Sequence, residues 1–209
     1  MLMSAVGRAR TSSTDRSRQS RPRRWALRDQ GRGGVEGPLV PTLLILCGLP
    51  FSGKTVLARR LNERYGFPVV CIDEIKLAHG FPWMEDSPIT AADWERIFAE
   101  SYDRTRELLR QGQSVVYDCA NLQRESREKL RVLAAAERRP SRTIFVAAPL
   151  DVVRARWRRN RVTGGRFDLP EALFESALAA FEPPDADEGA LVYGGAPELD
   201  AWIGHHFGG

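Results

Sequence analysis

With 209 residues, 43% of them hydrophobic, the chain is long enough to bury one full core and too apolar for wholesale disorder. Its longest apolar stretch, roughly residues 39–51, is too short to cross a bilayer and is interrupted by Pro41, Gly48 and Pro50; no apolar run follows the start as a secretory signal requires. The net charge of +4 is unevenly held: nine arginines against Asp15, Asp29 and Glu36 put +6 in residues 1–38 and leave −2 elsewhere, which argues against a broad nucleic-acid surface on the folded part.

Residues 1–38 are rich in Arg, Ser and Gly and lack apolar periodicity, so a disordered arm is expected. It reads as an inert extension or the product of an upstream start codon; a nucleic-acid-binding arm and a transit peptide are the alternatives. One domain is expected over 42–207. In it Leu43–Cys47 reads as a buried strand, and Lys54–Tyr65 as a helix with Leu57, Leu61 and Tyr65 on one face. A second strand over 69–72 ends at Asp73. The clearest helix is Ala91–Arg110, where Trp94, Ile97, Phe98, Tyr102, Thr105 and Leu109 recur at helical spacing. There follow a strand over 114–117 ending at Asp118, a helix over 125–138 and a strand over 143–147. An arginine-rich helix over 150–161, a helix over 170–181, a strand at Leu191–Tyr193 and a helix over 197–206 complete the chain. Strands alternating with helices predict an α/β fold, a parallel sheet with helices on both faces. Cys47, Cys71 and Cys119 form no CxxC pair and leave one over, which fits a reduced, cytoplasmic protein and small core residues rather than reactive thiols. The three histidines lack HExxH spacing, so a zinc site has no support.

The run Gly48-Leu49-Pro50-Phe51-Ser52-Gly53-Lys54-Thr55 fits G-x-x-x-x-G-K-[ST] and lies between a strand and a helix, the context in which that pattern cradles phosphate. Its glycines let successive N–H groups converge on an anion at which the helix aims its positive end. Lys54, one of only three lysines in the chain, supplies a mobile charge to the outer phosphates, and the Thr55 hydroxyl can ligate Mg²⁺. ATP is thus expected on Gly48, Leu49, Pro50, Phe51, Ser52, Gly53, Lys54 and Thr55, with Val56 in the first helical turn.

Ligands of open α/β sheets sit beyond the carboxyl ends of the strands, where Asp73 and Asp118 are expected. Asp118 suits a metal, through a water; Asp73, beside Glu74, suits orienting or deprotonating an acceptor hydroxyl. Each could alternatively cap a helix. Arg154, Arg156, Arg158, Arg159 and Arg161 flank the stripe of Leu150, Val153 and Trp157, placed either to stabilise a transferring phosphoryl group or as a solvated basic face. The loop Thr163-Gly164-Gly165-Arg166 is suited to closing over a nucleotide.

These motifs occur in the order Gly48 to Thr55, Cys71-Ile72-Asp73, Val115-Val116-Tyr117-Asp118-Cys119-Ala120-Asn121-Leu122, the arginine helix and Phe181-Glu182-Pro183-Pro184. The set resembles the small P-loop kinases grouped with polynucleotide kinase, zeta toxin and chloramphenicol phosphotransferase, an AAA-type ATP-binding domain, over roughly residues 42–205. The resemblance implies a P-loop NTPase fold: five parallel strands ordered 2-3-1-4-5, a small helical lid, and ATP and Mg²⁺ at the carboxyl edge. It also implies catalytic roles for Lys54, Asp73, Arg156 and Arg161, metal roles for Thr55 and Asp118, and a site-lining role for Asn121. Many relatives carry a small residue where this chain has Phe51, so altered loop packing without lost binding is expected. The segment from His79 to Trp94, with Phe81, Trp83 and Met84, corresponds to the acceptor region; its aromatics either stack on a ring or pack a helical cap. The leading expectation is a kinase of a small-molecule hydroxyl. A 5′-hydroxyl nucleic-acid kinase and an ATP-binding regulatory protein are the alternatives; no membrane partner is expected, and the absence of N-K-x-D argues against a GTP switch.

Overall fold

The computed structural model describes residues 40–81, 89–164, 169–195 and 198–208; the expected arm lies outside them. Strands β1 (Leu43–Cys47), β2 (Val69–Cys71), β3 (Val115–Asp118), β4 (Ser141–Val146) and β5 (Leu191–Tyr193) form one sheet, every neighbouring pair parallel, in the order β2-β3-β1-β4-β5. β1 is central and all its residues are buried, which is why its apolar run is unbroken where a half-exposed strand would alternate.

Successive sheet residues feed opposite faces. Leu43, Ile45, Val115 and Tyr117 pack with α2 (Ile72–Ala78), α3 (Ala91–Arg110) and α4 (Arg124–Ala136) through Ile75, Ile97, Leu109 and Leu130. Leu44, Leu46, Val116 and Ile144 pack with α1 (Lys54–Tyr65) and α7 (Leu199–Phe207) through Leu57, Leu61, Ile203 and Phe207. Helices therefore cover both faces, and the strand order matches the one the resemblance implies. A third cluster joins α5 (Leu150–Thr163) to α6 (Glu171–Ala179), the small helical lid. Its centre is Trp157 on Phe174, ring centroids 4.6 Å apart and planes within 7° of parallel.

Several boundaries move for local reasons. β2 stops at Cys71, and Ile72–Ala78 is a helix that sequence reading did not separate from the strand. Ile72 and Ile75 recur one turn apart on its buried side, while Asp73 and Glu74 complement the dipole of its first turn. β3 runs on to include Asp118. α4 begins at Arg124 and ends before Arg138, whose φ of 54° is left-handed and cannot continue a helix. α6 is shorter than expected and leaves Phe181 outside it, 5.7 Å from Phe145. α3 starts on a capping box: Thr90 Oγ1 accepts from the Asp93 N–H at 3.2 Å, and the Asp93 carboxylate accepts from the Thr90 N–H at 3.0 Å.

A buried ion pair knits the back of the site together. Arg127 on α4 is fully buried and donates twice to Glu188, Nε to Oε2 at 2.8 Å and Nη2 to Oε1 at 2.6 Å. Its Nη1 also donates to the carbonyls of Asn121 (3.1 Å), Leu122 (3.3 Å) and Glu182 (3.0 Å). Arg131 adds a second guanidinium to Glu188. Among the described residues no helix is long and apolar enough to cross a membrane.

Candidate functional site

The expected phosphate loop leaves the end of β1 and turns into α1. Gly48 sits at φ 144°, and a Cβ there would lie 2.8 Å from the Val146 carbonyl oxygen, so neither the backbone nor the space admits a side chain. Its N–H donates to the Ala120 carbonyl at 3.1 Å, tying the loop to the end of β3. Gly53, at φ 114°, caps α1, and its carbonyl accepts from the Val56 N–H at 3.0 Å and the Leu57 N–H at 3.1 Å, so the helix starts directly at the loop. Lys54 is buried, and its Nζ donates to the carbonyls of Gly48 and Leu49, both at 2.8 Å. Those two bonds hold the ammonium across the turn that Pro50, Phe51 and Ser52 complete.

The acids gather at the neighbouring strand ends. Asp118 is buried at the end of β3, opposite Cys71 in the strand register. Asp73 and Glu74 occupy the first turn of α2 and are exposed. Glu74 has its carboxyl pushed above the usual range, first by burial of part of the group and then by the charge of Asp118, with Arg59 and Arg104 opposing. Burial, followed by the charges of Asp118 and Asp73, raises the Cys71 thiol well above its ordinary value. Burial likewise lifts the Cys47 and Cys119 thiols to about 11, which favours their protonated form. The charges of Asp118 and Asp73 both act to raise Glu74 and Cys71, so this edge of the sheet is electronegative. Oxygen donors, the Thr55 hydroxyl and the Asp118 carboxylate, suit Mg²⁺, which keeps several waters and takes phosphate oxygens as further ligands. Among the described residues no group of three or more His, Cys, Asp or Glu could hold a metal ion by itself.

The lid closes one side. Arg156 Nη1 donates to the Ser52 carbonyl at 2.9 Å and the Phe51 carbonyl at 3.3 Å. Between loop and lid lies a cleft of about 430 Å³, bordered on the loop side by Phe51, Gly53 and Val56. Arg156, Arg159, Asn160 and Thr163 line it from α5, at the spacing of one helical face. Arg159 was not distinguished from its neighbours by sequence; the face beside the Val153 and Trp157 stripe was the available signal. Arg161 instead lays its guanidinium 5.5 Å over the Trp157 ring. Asn121, expected to line the site, is buried at φ 44° and donates to the Leu46 carbonyl at 2.7 Å, which braces the end of β1. Of the acceptor segment, Trp83 and Met84 lie outside the described residues, as do Gly165 and Arg166 of the lid loop. Phe81 and Trp94 are half-buried against the core, the packing alternative. A second cleft, about 370 Å³, is bordered by Arg60, Glu63, Arg64 and Asp200; Arg60 is already ion-paired there with both acids.

Residues 43–184, most of the chain, match the model of the AAA domain family. The chain belongs to this family. Its AAA domain resembles solved structures across nearly its whole extent. A sugar kinase from a Janibacter species is 20% identical, with a TM-score of 0.59 over 79% of this chain and 91% of that one. A gluconokinase from Sinorhizobium meliloti is 22% identical, with a TM-score of 0.53 over 78% of this chain and 88% of that one. Kti12 from Chaetomium thermophilum, solved with ADP-AlF3, is 19% identical, with a TM-score of 0.59 over 73% of this chain and 88% of that one. At these identities the likeness establishes the shared P-loop fold. No curated protein sequence matches the chain.

Proposed function

We propose that this AAA domain is an ATP-dependent phosphotransferase that moves the γ-phosphoryl group to a hydroxyl of a small-molecule acceptor. The observation that carries this reading is one edge holding three things: a phosphate loop with Lys54 drawn across it, Arg156 reaching in from the lid, and two acids, Asp118 at the end of β3 and Asp73 in the first turn of α2. The loop from Gly48 to Thr55 holds the β- and γ-phosphates on backbone N–H groups, and Lys54 exchanges its two carbonyl partners for phosphate oxygens. Val56, exposed beside the cleft, and Phe51 contact the nucleoside. Thr55, and Asp118 through a water, would hold Mg²⁺, which when bound neutralises charge on the β- and γ-oxygens. Asp73 takes the acceptor's hydroxyl proton as the oxygen bonds to the γ-phosphorus; the bond to the bridging oxygen breaks and ADP leaves with that electron pair. Arg156 stabilises charge on the equatorial oxygens. Because Arg161 is stacked on Trp157, we assign the second lid contact to Arg159.

The test is thermal unfolding with and without Mg-ATP, followed by a screen of hydroxyl compounds for labelled phosphate. Mg-ATP should raise the melting temperature of the native chain and not that of Lys54→Ala, and transfer should slow by about 10²–10⁴ in Asp73→Asn. No shift in the native chain removes the reading.

A further inference from the structure

Phe51 holds a position in the phosphate loop that its chemistry does not favour. Its φ is 65°, left-handed backbone that costs a residue with a Cβ and that glycine adopts freely. A side chain persists there only if the surroundings compensate. The compensation is visible: Phe51 and Leu49 pack into the cluster formed by Val153 and Trp157 of α5 with Phe174 and Leu178 of α6. The same residue's carbonyl accepts from Arg156 of α5. One loop residue thus meets the lid twice, through its ring and through its backbone, and it also borders the cleft.

The geometry points to Phe51 as a positioning residue that couples the α5–α6 lid to the phosphate loop, so that the loop shape that fits phosphate and the seating of the lid stabilise each other. The coupling runs through the ring: it seats the lid helices so that Arg156 and Arg159 stand over the cleft, and the lid in turn holds Phe51 in its disfavoured backbone state. The inference rests on a nucleotide occupying the loop, as proposed above.

Three substitutions separate this role from a local effect on the loop. Glycine relieves the backbone cost at Phe51, and asparagine tolerates left-handed backbone without glycine's freedom. Each removes the ring. Leucine keeps an apolar body and the cost. If Phe51 only occupied a turn, Phe51→Gly and Phe51→Asn would bind Mg-ADP as well as the native chain or better. The coupling predicts the reverse: both lose about tenfold in Mg-ADP affinity by calorimetry, and Phe51→Leu stays within about threefold. Hydrogen exchange should rise in Leu150–Thr163 and Glu171–Ala179 of the Gly and Asn variants and stay unchanged in β1 and β3. Native-like affinity with unchanged exchange in the lid overturns the inference, as does an equal loss in all three variants without a change in the lid. Failure of the native chain itself to bind Mg-ADP would count against the nucleotide reading and so against the inference with it.

Discussion

Removing the Arg127 guanidinium while keeping its bulk, as in Arg127→Met, isolates the buried pair. The side chains of Arg127 and Glu188 are 0% and 1% exposed, so the variant leaves a carboxylate in the interior with Arg131, which is 21% exposed, and the Asp185 N–H to answer it. Breaking such a pair costs about 3–5 kcal/mol, and the remaining Arg131 contact places this case near the lower end, at about 3 kcal/mol. For a domain of this size that is a fall of about 6–12 °C in melting temperature. The effect also carries a pH signature. Hydrogen bonds from Arg127, ahead of those from Arg131, hold the Glu188 carboxyl at about 2 against an ordinary 4.5. A depressed carboxyl stabilises the fold fully above the ordinary value and loses that contribution as pH falls toward the folded one. The gap between native and variant should therefore be largest at neutral pH and shrink as the pH drops from 4.5 toward 2. Urea unfolding followed by tryptophan fluorescence at several pH values measures it. Arg127→Met/Glu188→Leu should recover most of the loss, since the buried carboxylate goes with its partner and Arg131 keeps its ion pair with Glu128. A neutral-pH difference below about 1 kcal/mol, the level of an ordinary substitution, would refute the reasoning.

The other expectations concern the site. Gly48→Ala places a methyl group 2.8 Å from the Val146 carbonyl at a disfavoured φ, and should weaken Mg-ADP binding by about tenfold or more by calorimetry. Asp73→Asn should leave Mg-ADP affinity unchanged and lower the transfer rate by about 10²–10⁴, read by labelled phosphate once an acceptor is found; weakened nucleotide binding would move Asp73 out of the acceptor role. Arg156 is exposed, so Arg156→Ala should shift stability by no more than about 0.5 kcal/mol in urea. The same variant should lower kcat by about 10²–10³, and an unchanged kcat would remove the arginine from the transition state.

The parts of the molecule that sequence reveals are those set by short-range rules. β1 and the phosphate loop are legible because an unbroken apolar run, two glycines and a lysine each answer a constraint that acts within a few residues. Asp118 follows from the same logic at the end of β3. Asp73 was harder: the apolar run over 69–72 reads as a strand right up to it, whereas β2 stops at Cys71 and the packing of Ile72 and Ile75 puts Asp73 in the first turn of α2. The Arg127–Glu188 pair spans 61 residues of chain, and no local pattern separates a buried arginine from the many exposed ones. Phe51 shows the same limit in reverse, since its backbone state and its contacts with the lid depend on residues about a hundred positions away.

β1 and β3 lie side by side, yet the chain leaves β1 for α1 on one side of the sheet and leaves β3 for α4 on the other. Two adjacent segments that part in opposite directions leave a gap at the point of divergence, as ligand crevices in open α/β sheets do. Gly48 and Ala120, bonded across it, are its floor. The opening is therefore a product of connectivity: it would persist through wholesale repacking of either core, and only a change in the path of the chain could close it.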